Sequence, residues 1–135
     1  MGRAFSRAAL SRSGRRRYNF PMSDCIFCKI AGGEIPAQKV YEDGEMLAFR
    51  DISPVAPAHC LLIPKKHIKS LLELEAEDAP LAGRLLHRAQ EVARELGCGE
   101  SGARFVINAG TDGGQTVGHL HIHILGGRAL AWPPG

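Results

Sequence analysis

The sequence predicts an α+β domain: a five-stranded antiparallel sheet with one long helix and at least one short one. Three observations carry that prediction. His119 to Leu125 alternates histidine with aliphatic residues at the period of a strand. Between Asp78 and Leu96 the apolar residues Leu81, Leu85, Ala89, Val92 and Leu96 recur at helical spacing, with Pro80 in the first turn and Gly97 just past the end. Short apolar runs separated by turn signals such as Asp43-Gly44 and Asp112-Gly113 read as strands and hairpins.

Taken in order, Cys25 to Ala31 forms a short helical turn closed by Gly32-Gly33, and Glu34-Ile35-Pro36 leads into a strand at residues 39–42. Met46-Leu47-Ala48-Phe49 pairs back across the Asp43-Gly44 turn. Ser53-Pro54-Val55-Ala56-Pro57 is a stiff, irregular connection that delivers His59 at the head of a third strand, Cys60 to Ile63, which Pro64 terminates. The acidic residues Glu73, Glu75, Glu77 and Asp78 read as a solvated lead-in to the long helix, favoured by its dipole, rather than as a metal site. Arg104 to Ile107 is the fourth strand, and the histidine strand is the fifth. The terminal Trp132-Pro133-Pro134-Gly135 suggests a docked tail rather than a frayed one.

At 135 residues the chain is one domain, and it contains no stretch that approaches a membrane span, so a soluble protein without a membrane partner is expected. The formal charge of +3 is misleading. Residues 1–22 carry six arginines and no acid, leaving eleven basic against fourteen acidic residues in the rest. The body at residues 23–135 is therefore acidic, which argues against a nucleic-acid polymer as partner. The basic arm reads either as a mitochondrial transit peptide or, preferred here, as an upstream extension or disordered tail ahead of Met22-Ser23-Asp24. With four cysteines and no secretion signal, a reducing compartment is expected, the cytoplasm first and the mitochondrion if the arm is a transit peptide.

The alternation places the imidazoles of His119, His121 and His123 on one face, successive rings about 7 Å apart, with Leu120, Ile122 and Ile124 facing the core. Three successive same-face residues spread over about 13 Å cannot converge on one zinc ion with bonds near 2 Å. A nucleophilic imidazole with its neighbour touching the substrate fits better than a zinc-dependent hydrolase. The preceding loop, Gly110 to Thr116, offers backbone amides and the side chains of Gln115 and Thr116 as a cradle for a phosphate. Cys25-Ile26-Phe27-Cys28 is half of a zinc site that needs two further ligands, with His59 and His119 as the candidates; two ordinary buried cysteines are the alternative. Cys60 reads as a small buried hydrophobe, Cys98 as a helix-end residue without a role, and His87 as surface.

The pattern H-x-H-x-H followed by two hydrophobic residues, at His119 to Leu125, resembles the signature of the histidine triad family of nucleotide hydrolases and transferases. So do Cys25-Ile26-Phe27, Glu34-Ile35-Pro36, Phe49 to Pro54, Ala58-His59, Ile63 to His67, Asn108, Gly113-Gly114-Gln115 and the Trp132 tail, and together they resemble its nucleotide-binding branch. The resemblance implies purine nucleoside phosphoramidate hydrolysis through a nucleotidyl-histidine, in a homodimer whose two sheets join into a continuous ten-stranded one. His121 would be the nucleophile and His123 a phosphate donor, with His59 also among the catalytic histidines. Asn108, Gly114, Gln115 and Thr116 would hold the phosphate and steady the nucleophile, and the Thr116 hydroxyl would assist the leaving amine where several relatives have serine. Asp51 resembles the carboxylate that accepts the ribose hydroxyls, with Ile52 beside it and Ile26, Phe27, Ile30, Phe49 and Leu61 around the base. Trp132 would reach the partner subunit's site and shape leaving-group preference. A structural zinc on Cys25, Cys28, His59 and His119 is implied, with no organic cofactor. A nucleotide-binding protein without turnover is the alternative function.

Overall fold

The computed structural model describes residues 24–135. The basic arm and the start at Met22-Ser23 lie outside them. In chain order the elements are helix α1 (Ile26–Ala31), strands β1 (Lys39–Glu42), β2 (Met46–Arg50) and β3 (Ala58–Pro64), two 3-10 turns (Leu71–Glu73 and Ala76–Asp78), helix α2 (Ala79–Glu95), and strands β4 (Ala103–Val106) and β5 (Ile122–Gly126). The strands form one antiparallel sheet in the order β1-β2-β3-β5-β4. No described helix is long and apolar enough to cross a membrane.

Each element follows from its residues. The β1–β2 turn is organised by Asp43, whose Oδ1 accepts the amides of Glu45 and Met46 at 2.7 and 3.0 Å while Oδ2 accepts the Tyr41 hydroxyl at 2.6 Å. Helix α2 buries Leu85, Ala89, Val92 and Ala93, the predicted stripe, with Leu81 and Leu96 packed at its margins. Pro80 occupies its first turn, where a missing amide costs nothing.

The central strands β2 and β3 are buried on both faces, and their alternation separates two cores. Met46, Ala48, Cys60, Leu62, Leu120, Ile122 and Ile124 meet α2 on one face. Leu47, Phe49, Leu61 and Ile63 meet Cys25, Phe27 and Ile30 of the α1 segment on the other. The sequence reading of one apolar and one chemical face is thus refined: the histidine face carries its own smaller core.

Some boundaries and environments differ from expectation. The fifth strand begins at Ile122, because His119 closes a tight turn onto the Val117 carbonyl (2.8 Å) and Leu120 bonds the Ile68 carbonyl (2.7 Å) instead of a strand neighbour. Asp78 is not solvated: it is buried, pairs with Lys66 Nζ at 2.6 Å and accepts the Glu75 amide at 3.1 Å. The tail is held by its main chain, with Arg104 donating to the carbonyls of Leu130 and Ala131 at 3.1 and 2.9 Å, while the indole of Trp132 is 80% exposed. The expected docking of that ring is not made within the chain.

Candidate active site and metal centre

Two imidazoles occupy defined tautomers because backbone groups leave no choice. His121 Nδ1 lies 2.8 Å from the His119 carbonyl, which can only accept, so the proton sits on Nδ1 and Nε2 keeps a free lone pair. The ring is buried and stands edge-on to Phe27, centroids 5.2 Å apart at 88°. His59 is set from the opposite side. The Val55 amide donates to its Nδ1 at 3.2 Å, so Nε2 carries the hydrogen and donates to His123 Nδ1 at 3.0 Å. His123 must then bear its own proton on Nε2. Burial lowers the pKa of His59 and of His123 from the usual imidazole value, and for His123 the neighbouring His121 and His59 add to the effect, so both are neutral near pH 7.

The rings of His121 and His123 are 5.0 Å apart. A bare nitrogen beside a proton-bearing one can attack an electrophilic centre while stabilising the negative charge that develops. Asp51 adjoins this pair: Oδ1 accepts the Ser53 amide at 2.8 Å and Oδ2 lies 3.4 Å from His59 Nε2, with lone pairs left for further donors. Phe27, Ile30, Phe49 and Leu61 are packed in one cluster beneath the histidines, whereas Ile26 is half exposed and Ile52 is 98% exposed beside Asp51.

The glycine-rich loop has a different internal logic from the expected cradle. The amides of Gly114 and Gln115 close turns onto the carbonyls of Thr111 and Gly110 at 3.0 and 3.1 Å. The Gln115 side chain is fully engaged: Oε1 accepts the Gly110 amide at 2.9 Å, and Nε2 donates to the carbonyls of Lys69 and Val117 at 2.7 and 2.9 Å. Gln115 is therefore the staple of the loop, not a free donor. Gly113 is required by close approach, since a Cβ there would sit 2.6 Å from the Ala109 carbonyl oxygen. Among the described residues, the side chains of half-buried Asn108 and exposed Thr116 form no hydrogen bond, so the available donors lie there and on His123.

A second cluster lies at the α1 end of the sheet. The thiols of Cys25 and Cys28 and the Nδ1 atoms of His67 and His119 all lie within 4.8 Å of one another. Cys25 Sγ to His119 Nδ1 is 3.3 Å, Cys28 Sγ to His67 Nδ1 is 3.2 Å, Cys28 Sγ to His119 Nδ1 is 3.6 Å, and the two Nδ1 atoms are 3.2 Å apart. A tetrahedron with Zn–S near 2.3 Å and Zn–N near 2.0–2.1 Å has edges of about 3.3–3.8 Å. His119 Nε2 donates to the Pro64 carbonyl at 2.8 Å, which leaves Nδ1 as a lone pair aimed into the cluster, the usual arrangement of a ligating imidazole. Burial, then the neighbouring Cys25, pushes the Cys28 thiol up to about 12, so a cation is what would make it a thiolate. These four residues fit a closed zinc site.

The fourth member is His67 and not His59, which corrects the ligand set expected from sequence. The reason is register. His59 lies opposite Leu125 in the antiparallel β3–β5 pair, toward the far end of β5, whereas His119 precedes the start of that strand at Ile122. His67 follows β3 at its other end, where the Leu120 to Ile68 hydrogen bond draws it beside His119. A histidine three residues past a strand-ending proline was the available signal.

The family model described as HIT domain matches residues 32–130. An uncharacterized HIT-like protein of Synechococcus elongatus is 58% identical over 112 residues, 83% of this chain and 97% of that protein. Protein HitA of Neisseria gonorrhoeae is 54% identical over 105 residues, 78% of this chain and 97% of that one. Among solved structures, a HIT family hydrolase from Legionella pneumophila superposes with a TM-score of 0.81 at 52% identity, covering 82% of this chain and 99% of that chain. A histidine triad protein from Clostridium difficile gives 0.77 at 49% identity over 80% and 94%. With the family model spanning most of the described residues and its three histidines arranged as above, this chain belongs to the HIT domain family.

Proposed function

We propose that the protein is a hydrolase of purine nucleoside phosphoramidates, acting through a nucleotidyl-histidine to release a nucleoside 5′-monophosphate. The observation that carries this reading is the His121 ring, fixed by the His119 carbonyl with Nε2 bare beside the proton-bearing His123. His121 Nε2 attacks phosphorus, the P–N bond breaks, and the amine leaves with a proton passed from solvent through the exposed Thr116 hydroxyl, a proton that the attacking water gives back in the next step. Water then cleaves the P–N bond to His121 and restores the neutral imidazole. His123 Nε2–H and Asn108 hold the phosphoryl oxygens, Asp51 accepts the ribose hydroxyls, and the base lies over Phe27, Ile30, Phe49 and Leu61 with Ile26 and Ile52 at its edge.

Zinc on Cys25, Cys28, His67 and His119 would supply no chemistry to the reaction and would anchor the α1 segment to the sheet. A homodimer joining the two sheets fits the β4 edge, where Phe105 is 43% exposed, better than the β1 edge with its Lys39–Glu42 ion pair. Four free cysteines suit a cytoplasmic setting. The proposal is tested by AMP release from adenosine 5′-phosphoramidate, with intact mass spectrometry of a rapid quench. Turnover with an AMP adduct that disappears in His121→Ala is the expected result. Wild-type protein that binds AMP but neither turns over nor forms an adduct would replace the hydrolase with a nucleotide-binding protein.

A further inference from the structure

The proton on His123 Nε2 is set by a chain of contacts that begins far from the substrate. Val55 sits in the middle of the exposed connection between β2 and β3, itself 62% exposed, and donates its amide to His59 at 3.2 Å. Its carbonyl accepts a hydrogen bond from Arg128 Nη2 at 2.9 Å, across 73 residues of sequence. The same guanidinium donates Nη1 to the Ala129 carbonyl at 3.0 Å, so its plane is held at both ends. The preceding residue supports the contact: Gly127 has φ +89°, and a Cβ there would meet Pro57 Cβ at 2.8 Å, so the chain after β5 lies directly on the loop.

We infer that Arg128 is a positioning residue for His123, holding Val55 so that its amide fixes the tautomer of His59 and, through it, that of His123. This rests on the role given above to His123 as phosphoryl donor. Both prolines stiffen the loop without tying it down, because neither offers an amide. Among the described residues, the bonds from Arg128 and to His59 are the only ones at the Val55 backbone. If Val55 swings away, His59 Nδ1 loses its donor, and only Asp51 Oδ2, 3.4 Å from Nε2 and not hydrogen-bonded to it, still favours the proton there, so the ring can carry it on either nitrogen. With the proton on Nδ1, His59 offers a lone pair to His123, whose own proton then moves to its Nδ1. His123 would meet an anionic oxygen with a bare nitrogen, where repulsion replaces a hydrogen bond.

The test is imidazole 15N chemical shifts at neutral pH together with steady-state kinetics for the wild type, Arg128→Met and Arg128→Lys. His123 should be wholly the Nε2–H form in the wild type and in Arg128→Lys, and a mixture of tautomers in Arg128→Met. In that variant kcat should fall about tenfold with KM changed less than twofold. An unchanged His123 tautomer in Arg128→Met, or a tautomer change without any loss of kcat in an active enzyme, would overturn the inference. If the wild type has no turnover at all, the spectra alone decide it, and the failure belongs to the proposed reaction. Should Arg128→Met not fold, Arg128→Gln, whose shorter amide falls short of Val55, gives the same reading.

Discussion

Replacing Phe27 tests how the small core on the histidine face supports the chemistry above it. The ring is 6% exposed and stands edge-on to three others: His121 at 5.2 Å, Phe49 at 5.6 Å and His119 at 5.9 Å, with interplanar angles of 88°, 76° and 72°. Truncation to alanine removes a buried ring from a cluster of seven buried residues, which costs about 3–5 kcal/mol in comparable cores. Phe27→Leu keeps most of the volume and loses mainly the three edge contacts, each worth about 0.5–1.5 kcal/mol, so its cost should be about 1.5–3 kcal/mol, the lower half of their sum. Urea unfolding at constant m reads both values. Phe27→Leu, still folded, should lose about tenfold in single-turnover rate because the His121 ring can tilt while its bond to the His119 carbonyl survives. A cost below about 1.5 kcal/mol for Phe27→Ala would refute the packing argument, as would equal costs for Ala and Leu.

The ligand set separates cleanly by mutation. His67→Ala should abolish stoichiometric zinc, measured by elemental analysis of protein purified under limiting metal, whereas His59→Ala should retain it; the reverse pattern would restore the ligand set expected from sequence. Gln115→Ala removes three hydrogen bonds and should cost about 1–3 kcal/mol in thermal unfolding, discounted for exposure. It should also speed amide exchange at Gly110, and an unchanged exchange rate would show the staple to be idle. His59 is held neutral by burial, with its pKa lowered in the folded state, so its contribution is present above pH 6.5 and is lost as pH falls below that value. The stability gap between the wild type and His59→Asn should therefore shrink on acidification from pH 7 to 5. A gap that widens would contradict the sign.

The fold was legible wherever a period was long enough to read. The α2 stripe, the Asp43 turn and the alternation through Ile124 each express a local rule, and five strands with one long helix follow from them. The candidate site was legible where it coincided with a motif, since the His121 and His123 rings that alternate in sequence stand 5.0 Å apart in space. What escaped was set by non-local geometry. His67 belongs to the cysteines only because antiparallel register carries His59 to the far end of β3. Gln115 looks like a phosphate donor until the Lys69 carbonyl, 46 residues away, is brought beside it. Asp78, one of four closely spaced acids that read as solvated, is instead buried and paired with Lys66 from another segment.

His119 divides its duties between two kinds of atom. Its ring serves the cysteine cluster and the Pro64 carbonyl, while its own carbonyl orients His121. Every amino acid has that carbonyl, so the orientation of the His121 ring depends on the path of the main chain at residue 119 and not on the side chain there. Descent can therefore act on the two duties separately. A lineage can exchange both cysteines and both cluster imidazoles for an apolar plug of equal volume and keep the His121 geometry, because that geometry is carried by the backbone. Loss of the cluster therefore leaves the orientation of the His121 ring to the main chain alone.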